Sequence, residues 1–151
     1  MDLFEGEARR TGVALTSTVT EVLPLVRCDA DQIQQLVLNL LTNALYATPP
    51  GGSISLVLSL VRDVTPPAVR CVVRDTGCGM TDEVRERLFE PFFTTRAAQG
   101  GTGLGLAVVR AIVNDHRGSI AVQSLAGSGT TVCVTLPVDG ETSSVSTYGA
   151  S

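Results

Sequence analysis

Apolar residues between positions 33 and 44 recur at the three- and four-residue spacing of one helix face. Asp29 stands before this stretch as a candidate N-cap, and Asp31 adds negative charge to the first turn, where it is favourable. Pro49 and Pro50 end the pattern, because a proline lacks the N–H group that a helix interior requires. The pattern predicts a helix with an apolar stripe, formed by Ile33, Leu36, Val37, Leu40, Leu41 and Ala44.

Shorter apolar runs, bounded by glycine, proline and polar clusters, predict strands. They cover residues 13–20, 54–61, 69–73, 120–122 and 131–136. Further helices are predicted over residues 2–10, 81–88 and 104–115, whereas residues 89–102 have no regular period. Helices and strands mixed in this way, with the last two strands adjacent in sequence, indicate an α/β fold.

The composition is that of a folded globular domain and argues against several kinds of partner. The chain has 151 residues, 44% of them hydrophobic and 17% charged, enough for one domain with a sizeable core. A net charge of −4 without a basic run argues against nucleic acid. Four cysteines without a CxxC pair and a single histidine argue against zinc and favour buried, reduced thiols. Neither a signal peptide nor a membrane-spanning apolar run is recognisable, so we expect a cytoplasmic segment without membrane contact.

Two asparagines of the long helix, Asn39 and Asn43, lie four residues apart and therefore on one face. An amide oxygen is a hard, neutral ligand that suits Mg²⁺, which keeps most of its waters and takes phosphate oxygens. In isolation, the pair is equally consistent with amides that cap turns or hydrogen-bond within the core. The remaining motifs of the chain favour the metal-binding interpretation.

A second candidate site follows the strand predicted at 69–73. Asp75 comes shortly after that apolar run and is followed by Gly77 and Gly79. Its carboxylate can accept a hydrogen bond from the amino group of adenine, and the glycines allow the backbone to approach a base closely. An ordinary Asp-Gly turn is the alternative. Met80 is a candidate both for the core and for packing on the base.

Four glycines between positions 100 and 105 lie at the start of the helix predicted at 104–115. Free N–H groups at a helix N-terminus bind phosphate, although a glycine pattern by itself is weak evidence. This is not a dinucleotide fingerprint, because no strand precedes it, nor a P-loop, because no Lys-Ser or Lys-Thr follows. The irregular segment 89–102, with Phe89, Phe92 and Phe93 as apolar anchors, has the features of a lid. Its only cation, Arg96, is either solvated or placed to neutralise charge on a triphosphate.

Together and in this order, the motifs resemble the ATP-binding catalytic domain of sensor histidine kinases, within the superfamily of DNA gyrase, mismatch-repair ATPases and Hsp90-type chaperones. The resemblance rests on Asn-Leu-Leu-Thr-Asn at 39–43, Asp-Thr-Gly-Cys-Gly at 75–79, Phe-Glu-Pro-Phe-Phe-Thr-Thr at 89–95, Gly-Thr-Gly-Leu-Gly-Leu at 101–106 and Gly-Ser-Gly-Thr at 127–130. It implies a Bergerat-type, two-layer α/β sandwich: a mixed β-sheet with helices on one face, and ATP between the helices and a lid. It also implies three segments: the end of a linker helix at 1–12, the ATP-binding domain at 13–138 and a flexible tail at 139–151.

The resemblance further implies roles for individual residues. Asn43 would bind Mg²⁺ with help from Asn39, and Asp75 would hold the adenine amino group. Arg96 would act on the charge of the transferred phosphate. The base would also contact Gly77, Gly79, Met80 and, through water, Thr130. The phosphates would be held by Gly101, Thr102, Gly103, Leu104, Gly105 and Leu106.

Three features depart from the family pattern. A Lys or Arg that often follows the second asparagine by three positions and contacts phosphate is Tyr46 here. The usual lysine of the lid is Arg96, which keeps the charge with a different geometry. The phosphoacceptor histidine and its helical hairpin do not occur in these residues, and His116 is predicted to be structural or solvated.

These features predict a histidine-kinase catalytic domain that binds Mg-ATP and donates the γ-phosphate to a histidine on a separate dimerisation domain, in cis or in trans. A response regulator is then an indirect partner, and the isolated domain is expected to be a monomer. Asn39 stands where the superfamily's hydrolases have a glutamate that activates water, and an amide cannot act as that base. A nucleotide-sensing pseudokinase, a related ATPase and an anti-sigma-type serine kinase remain alternatives.

Overall fold

The computed structural model describes residues 2–23, 28–91 and 105–138. These ranges contain α1 (Asp2–Arg10), β1 (Ala14–Val19), α2 (Ala30–Ala47), β2 (Ser53–Val61), β3 (Ala68–Asp75), α3 (Asp82–Arg87), α4 (Gly105–Asp115), β4 (Ser119–Leu125) and β5 (Gly129–Pro137). Every element predicted from the sequence is present. Strands β3, β4 and β5 are longer than predicted, because backbone pairing continues through polar residues beyond the apolar runs.

The five strands form one mixed sheet in the order β1–β2–β3–β5–β4. Strand β1 runs parallel to β2, and every other neighbouring pair is antiparallel. Asp75, the last residue of β3, lies opposite Ile54 of β2 and Thr130 of β5. The β4–β5 register in turn places Ser124 opposite Thr130. The sheet therefore brings Asp75, Thr130 and Ser124 side by side near one end.

The core lies between one face of the sheet and helices α2 and α4. Along β3, burial alternates: Cys71, Val73 and Asp75 are buried, whereas Arg70 and Arg74 are exposed on the other face. The largest fully buried side chains are Leu36, Leu41, Ile54, Val109, Val113 and Val134. A mixed sheet with helices packed on one face confirms the predicted two-layer α/β fold.

Helix α2 has a capping residue at each end. Asp29 Oδ1 accepts hydrogen bonds from the N–H groups of Asp31 (3.0 Å) and Gln32 (3.3 Å), as predicted for an N-cap. At the other end, Thr48 Oγ1 donates to the carbonyl oxygen of Ala44 (2.6 Å), just before the two prolines. These caps fix the extent of α2 and therefore the positions of its polar side chains.

The histidine of the chain connects helix α4 to the start of α2. The N–H group of Asp29 donates to His116 Nε2 (3.2 Å), and His116 Nδ1 lies 2.8 Å from the carbonyl oxygen of Ile112. A neutral imidazole with its hydrogen on Nδ1 satisfies both contacts. His116 therefore has a structural role, one of the two roles predicted for it.

Within the described ranges, no helix has the length and apolar character needed to cross a membrane.

The four cysteines of the chain are free thiols, but the prediction that they are buried is correct for Cys71 alone: Cys28 and Cys133 are half-buried, and Cys78 is exposed. Burial raises the pKa of the Cys71 thiol to about 12, which keeps it protonated and unreactive near neutral pH.

Candidate functional site

The two asparagines predicted to bind a metal lie beside the first residue of α4. Asn39 Nδ2 donates a hydrogen bond to the carbonyl oxygen of Gly105 (3.3 Å). Both polar atoms of the Asn43 amide lie 3.8 Å from the position that a Cβ on Gly105 would take. Both asparagine side chains are half-buried. One side of α2 thus meets the start of α4 through two amides.

These amides suit Mg²⁺ better than a metal that needs several charged ligands. Across residues 2–23, 28–91 and 105–138, no group of three His, Cys, Asp or Glu side chains is placed to hold a metal ion. The nitrogen of Asn39 already donates to a carbonyl, which leaves the acceptor Oδ1 for other partners. An amide oxygen next to substrate phosphates and water is a suitable Mg²⁺ environment, so the donor set fits this ion.

Gly105 is the first described residue of α4, and the described residues around it leave room for a Cβ. Among the described residues, the atoms nearest to a Cβ at this position are the amide atoms of Asn43, at 3.8 Å. The next residue, Leu106, packs against the core. A methyl group on Gly105 would therefore be in ordinary van der Waals contact with the Asn43 amide, beside the N-terminal turn of α4. The phosphate contacts of Gly105 and Leu106 stay a prediction.

Asp75 is buried at the end of β3, with 7% of its surface exposed. Its Oδ1 accepts a hydrogen bond from the N–H group of Gly77 (2.8 Å). Burial raises the pKa of Asp75 above its ordinary value, and the backbone N–H groups of Gly77 and Thr130 partly oppose this shift. A carboxylate in this position gains from any further donor, because water reaches it poorly.

The two glycines of the loop after β3 are required by packing. A Cβ on Gly77 would stand 2.3 Å from the carbonyl oxygen of Ala47, and a Cβ on Gly79 would stand 2.0 Å from that of Leu125. Gly79 also has a φ of +67°, which favours glycine. The N–H group of Cys78 donates to the carbonyl oxygen of Ala47 (3.1 Å). The glycines therefore hold the loop between the end of α2 and the β4–β5 hairpin, a role that the sequence motif did not reveal.

Ser124, which lies outside the sequence motifs, connects Met80 and Thr130, two residues predicted to contact the base. Ser124 Oγ accepts a hydrogen bond from the N–H group of Met80 (2.8 Å) and lies 2.8 Å from Thr130 Oγ1. It also donates to the carbonyl oxygen of Gly129 (3.2 Å). The sequence indicates Ser124 only through its position, because it is a polar residue on the face of β4 that also carries Val122.

One row of α2 connects the asparagines to the loop after β3. Asn39, Asn43 and Ala47 are spaced by four positions and so follow one side of the helix. The two asparagines adjoin Gly105, and Ala47 adjoins Gly77. At about 1.5 Å per residue, the row is about 12 Å long. The two candidate metal ligands thus adjoin the start of α4, and Ala47, one turn after Asn43, adjoins the loop of the candidate base site.

Several predicted residues lie outside the described part of the chain. They are Arg96, Gly101, Thr102, Gly103 and Leu104. Most of the predicted lid and the predicted tail at 139–151 lie outside it as well. Tyr46, which stands where the family often has Lys or Arg, has 56% of its surface exposed.

Comparison with known proteins identifies the family of the chain. Residues 28–140 match the family model described as histidine kinase-, DNA gyrase B-, and HSP90-like ATPase. The chain belongs to this family. The catalytic domain of histidine kinase ThkA is similar with a TM-score of 0.77 and 30% identity, over 91% of this chain and 88% of that one. The chain is accordingly a catalytic domain of the histidine-kinase type, with the nucleotide-using ATPase fold of the family.

Two curated relatives are much longer than this chain. Sporulation kinase E of Bacillus subtilis (strain 168) is 36% identical over 138 residues, which are 91% of this chain and 18% of the relative. Sensor histidine kinase ZraS of Klebsiella oxytoca is 38% identical over 141 residues, 93% of this chain and 29% of the relative. The chain therefore corresponds to one part of these kinases.

Proposed function

We propose that this domain binds Mg-ATP and donates the γ-phosphate to a histidine on a separate helical-hairpin domain, in cis or in trans. The observation that carries the proposal is the row of α2 from Asn39 through Asn43 to Ala47, which joins the start of α4 to the loop after Asp75. A nucleoside triphosphate needs a base site and a phosphate site at a fixed separation, and the row supports the proposal because it connects a candidate for each.

The base end suits adenine. Asp75 accepts a hydrogen bond from the adenine amino group, whereas guanine would present a carbonyl oxygen to the same carboxylate. Because Asp75 is 7% exposed, solvent compensates poorly for that mismatch. Thr130 reaches the base through a water molecule, and Met80 packs against its face.

The phosphate end combines an amide ligand with helix N–H groups. Asn43 would hold Mg²⁺ with help from Asn39, and the bound ion supplies neutralisation of charge on the phosphate oxygens. The N–H groups of Gly105 and Leu106 contact phosphate at the start of α4. The residues that contribute from the preceding loop are Arg96, Gly101, Thr102, Gly103 and Leu104.

The residue at the position of the hydrolases' glutamate favours transfer to an acceptor over hydrolysis. This residue, Asn39, donates to the carbonyl of Gly105, and an amide has no basic atom at neutral pH. The nucleophile and its acid–base partner therefore come from the acceptor domain, while this domain positions the phosphate and stabilises its charge. The reaction takes place in the cytoplasm, where ATP is available, and a response regulator receives the phosphate afterwards.

Radiolabelled ATP tests the proposal with the domain alone and with its cognate phosphoacceptor hairpin. We expect label only on the hairpin, lost in acid as phosphohistidine is. Asp75→Asn should reduce the labelling, whereas Asp63→Asn, on an exposed loop, should not. Rapid phosphate release by the domain alone would identify an ATPase instead, and ATP binding without transfer would identify a nucleotide sensor.

A further inference from the structure

Ser124 lies where the loop after β3, helix α3 and strands β4 and β5 meet. Its hydroxyl contacts the N–H group of Met80 at 2.8 Å, Thr130 Oγ1 at 2.8 Å and the carbonyl oxygen of Gly129 at 3.2 Å. Its own carbonyl oxygen accepts a hydrogen bond from Arg85 Nη1 of α3 (3.2 Å). Both the side chain and the backbone of Ser124 are therefore held in place.

The hydrogen-bonding capacity of this hydroxyl is used completely by its three neighbours. A serine hydroxyl has one hydrogen to donate and two lone pairs that accept. The N–H group of Met80 uses one lone pair, and the carbonyl oxygen of Gly129 takes the hydrogen. Either hydroxyl could donate in the Ser124–Thr130 contact, and the assignment that satisfies all three contacts at once has Thr130 donate to the remaining lone pair of Ser124. Thr130 then offers only lone pairs to any further partner.

We propose that Ser124 is a positioning residue for adenine selectivity, an inference that rests on the proposed function. With its hydrogen committed to Ser124, Thr130 acts as an acceptor, like the Asp75 carboxylate on the neighbouring strand. Two acceptors at this end of the site match the amino group of adenine, directly or through a bridging water, and disfavour the carbonyl oxygen of guanine. The bond to the N–H group of Met80 also fixes the backbone that presents Met80 to the base.

Threonine and valine at position 124 form a matched pair, because they have nearly the same shape and differ in the hydroxyl. Displacement of a fluorescent adenine nucleotide gives Kd for ATP and for GTP with each variant. The preference is the ratio of the Kd for GTP to the Kd for ATP. We expect this ratio to stay within about twofold of the wild type in Ser124→Thr and to fall by about five- to tenfold in Ser124→Val. The loss should come from weaker ATP binding, with GTP binding unchanged.

Two further variants control for structural effects. Ser119→Ala removes a hydroxyl from the opposite, exposed side of the same strand and should change neither affinity. Ser124→Ala removes the hydroxyl without adding volume. It is the variant to use if both Ser124→Thr and Ser124→Val lower Tm strongly.

The outcomes separate this inference from the proposed function. Equal preference in the Ser124→Thr and Ser124→Val variants would overturn the role of Ser124 while leaving ATP binding intact. Equal weakening of ATP and GTP together with a lower Tm would also overturn it, because a purely structural serine gives that result. A wild-type domain that binds neither nucleotide would reject the proposed function itself, and this inference with it.

Discussion

Asp75 accepts hydrogen bonds at a place that water hardly reaches. Asp75→Asn keeps the shape of the side chain but removes the charge and replaces one acceptor oxygen by a donor. We expect ATP affinity to fall about ten- to a hundredfold, because a hydrogen bond to a charged group contributes about 1.5–3 kcal/mol. Calorimetric titration measures the change, with Asp63→Asn on an exposed loop as control. Equal titration curves of the wild type with ATP and GTP would contradict the role of Asp75.

The raised pKa of Asp75 also makes the stability of the free domain depend on pH. Burial favours the protonated form in the folded state, so the folded-state pKa lies above the ordinary value of 3.8. The resulting contribution to stability is fully present below the unfolded-state pKa and is lost as the pH rises through the folded-state pKa. Relative to Asp75→Asn, the wild-type Tm should therefore fall as the pH is raised toward neutrality. Melting curves of both proteins at acidic to neutral pH test this prediction. A wild-type Tm that rises relative to that of Asp75→Asn as the pH is raised would contradict it.

Alanine substitutions at Gly77 and Gly105 should separate folding from binding. At Gly77 the new Cβ would stand 2.3 Å from the Ala47 backbone, so we expect a loss of about 2–4 kcal/mol in the free energy of unfolding. At Gly105 the nearest described atoms are 3.8 Å away, and alanine favours a helix by up to about 1 kcal/mol. Gly105→Ala should keep or raise Tm while weakening ATP about tenfold, since its methyl group fills space beside Asn43. Denaturant unfolding measures the effect of each variant on stability, and ATP titration measures its effect on binding. A Gly105→Ala variant with a strongly reduced free energy of unfolding would contradict the prediction.

At the scale of the elements, the side chain of His116 connects α4 to the start of α2. His116→Ala removes the acceptor of the Asp29 N–H group, and we expect a loss of about 1 kcal/mol and a Tm lower by about 2–4 °C. His116→Gln can accept the same hydrogen bond through its side-chain oxygen and should recover part of the loss. Scanning calorimetry measures both variants. An unchanged Tm in His116→Ala would mean that the contact does not stabilise the helix pair.

Helix α2 could be predicted from the sequence because its signals are local. The cap at Asp29, the apolar period and the two prolines all act within a few residues, and they fixed both ends of the helix. The sequence also placed Asp75 after an apolar strand, and the structure has it buried at the end of β3, while its role in binding stays a prediction. The same local evidence placed Asn39 and Asn43 on one helix face, where the structure has them beside Gly105.

Contacts between distant segments could not be predicted in this way. The role of Ser124 depends on β5 pairing with both β3 and β4, and no single segment of sequence contains that order. Gly77 and Gly79 have the sequence of an ordinary turn. Their contacts with Ala47 and Leu125 exist only after α2 and the β4–β5 hairpin are in place.

For the molecule as a whole, nucleotide binding should be linked to thermal stability. ATP and Mg²⁺ at about 100 times Kd should stabilise the folded state by about 2.7 kcal/mol, which raises Tm by roughly 5–10 °C. Chelating Mg²⁺ should reduce this shift, and Asn43→Ala should show the reduced shift with or without the ion. Thermal melts with ATP, with ATP and chelator, and without nucleotide measure it. A strongly lowered Tm of the free Asn43→Ala domain would assign the side chain to the fold instead.

The contacts of His116 also determine how transferred phosphate can be traced. Both imidazole nitrogens are engaged within the fold, and the 151 residues contain no other histidine. A phosphoryl group on Nε2 would bring nearly two negative charges to the place where the Asp29 N–H group donates, next to the Asp29 carboxylate. The domain alone can therefore be the negative control of a labelling experiment. Any acid-labile label that forms in a mixture of the domain and an acceptor is then attached to the acceptor.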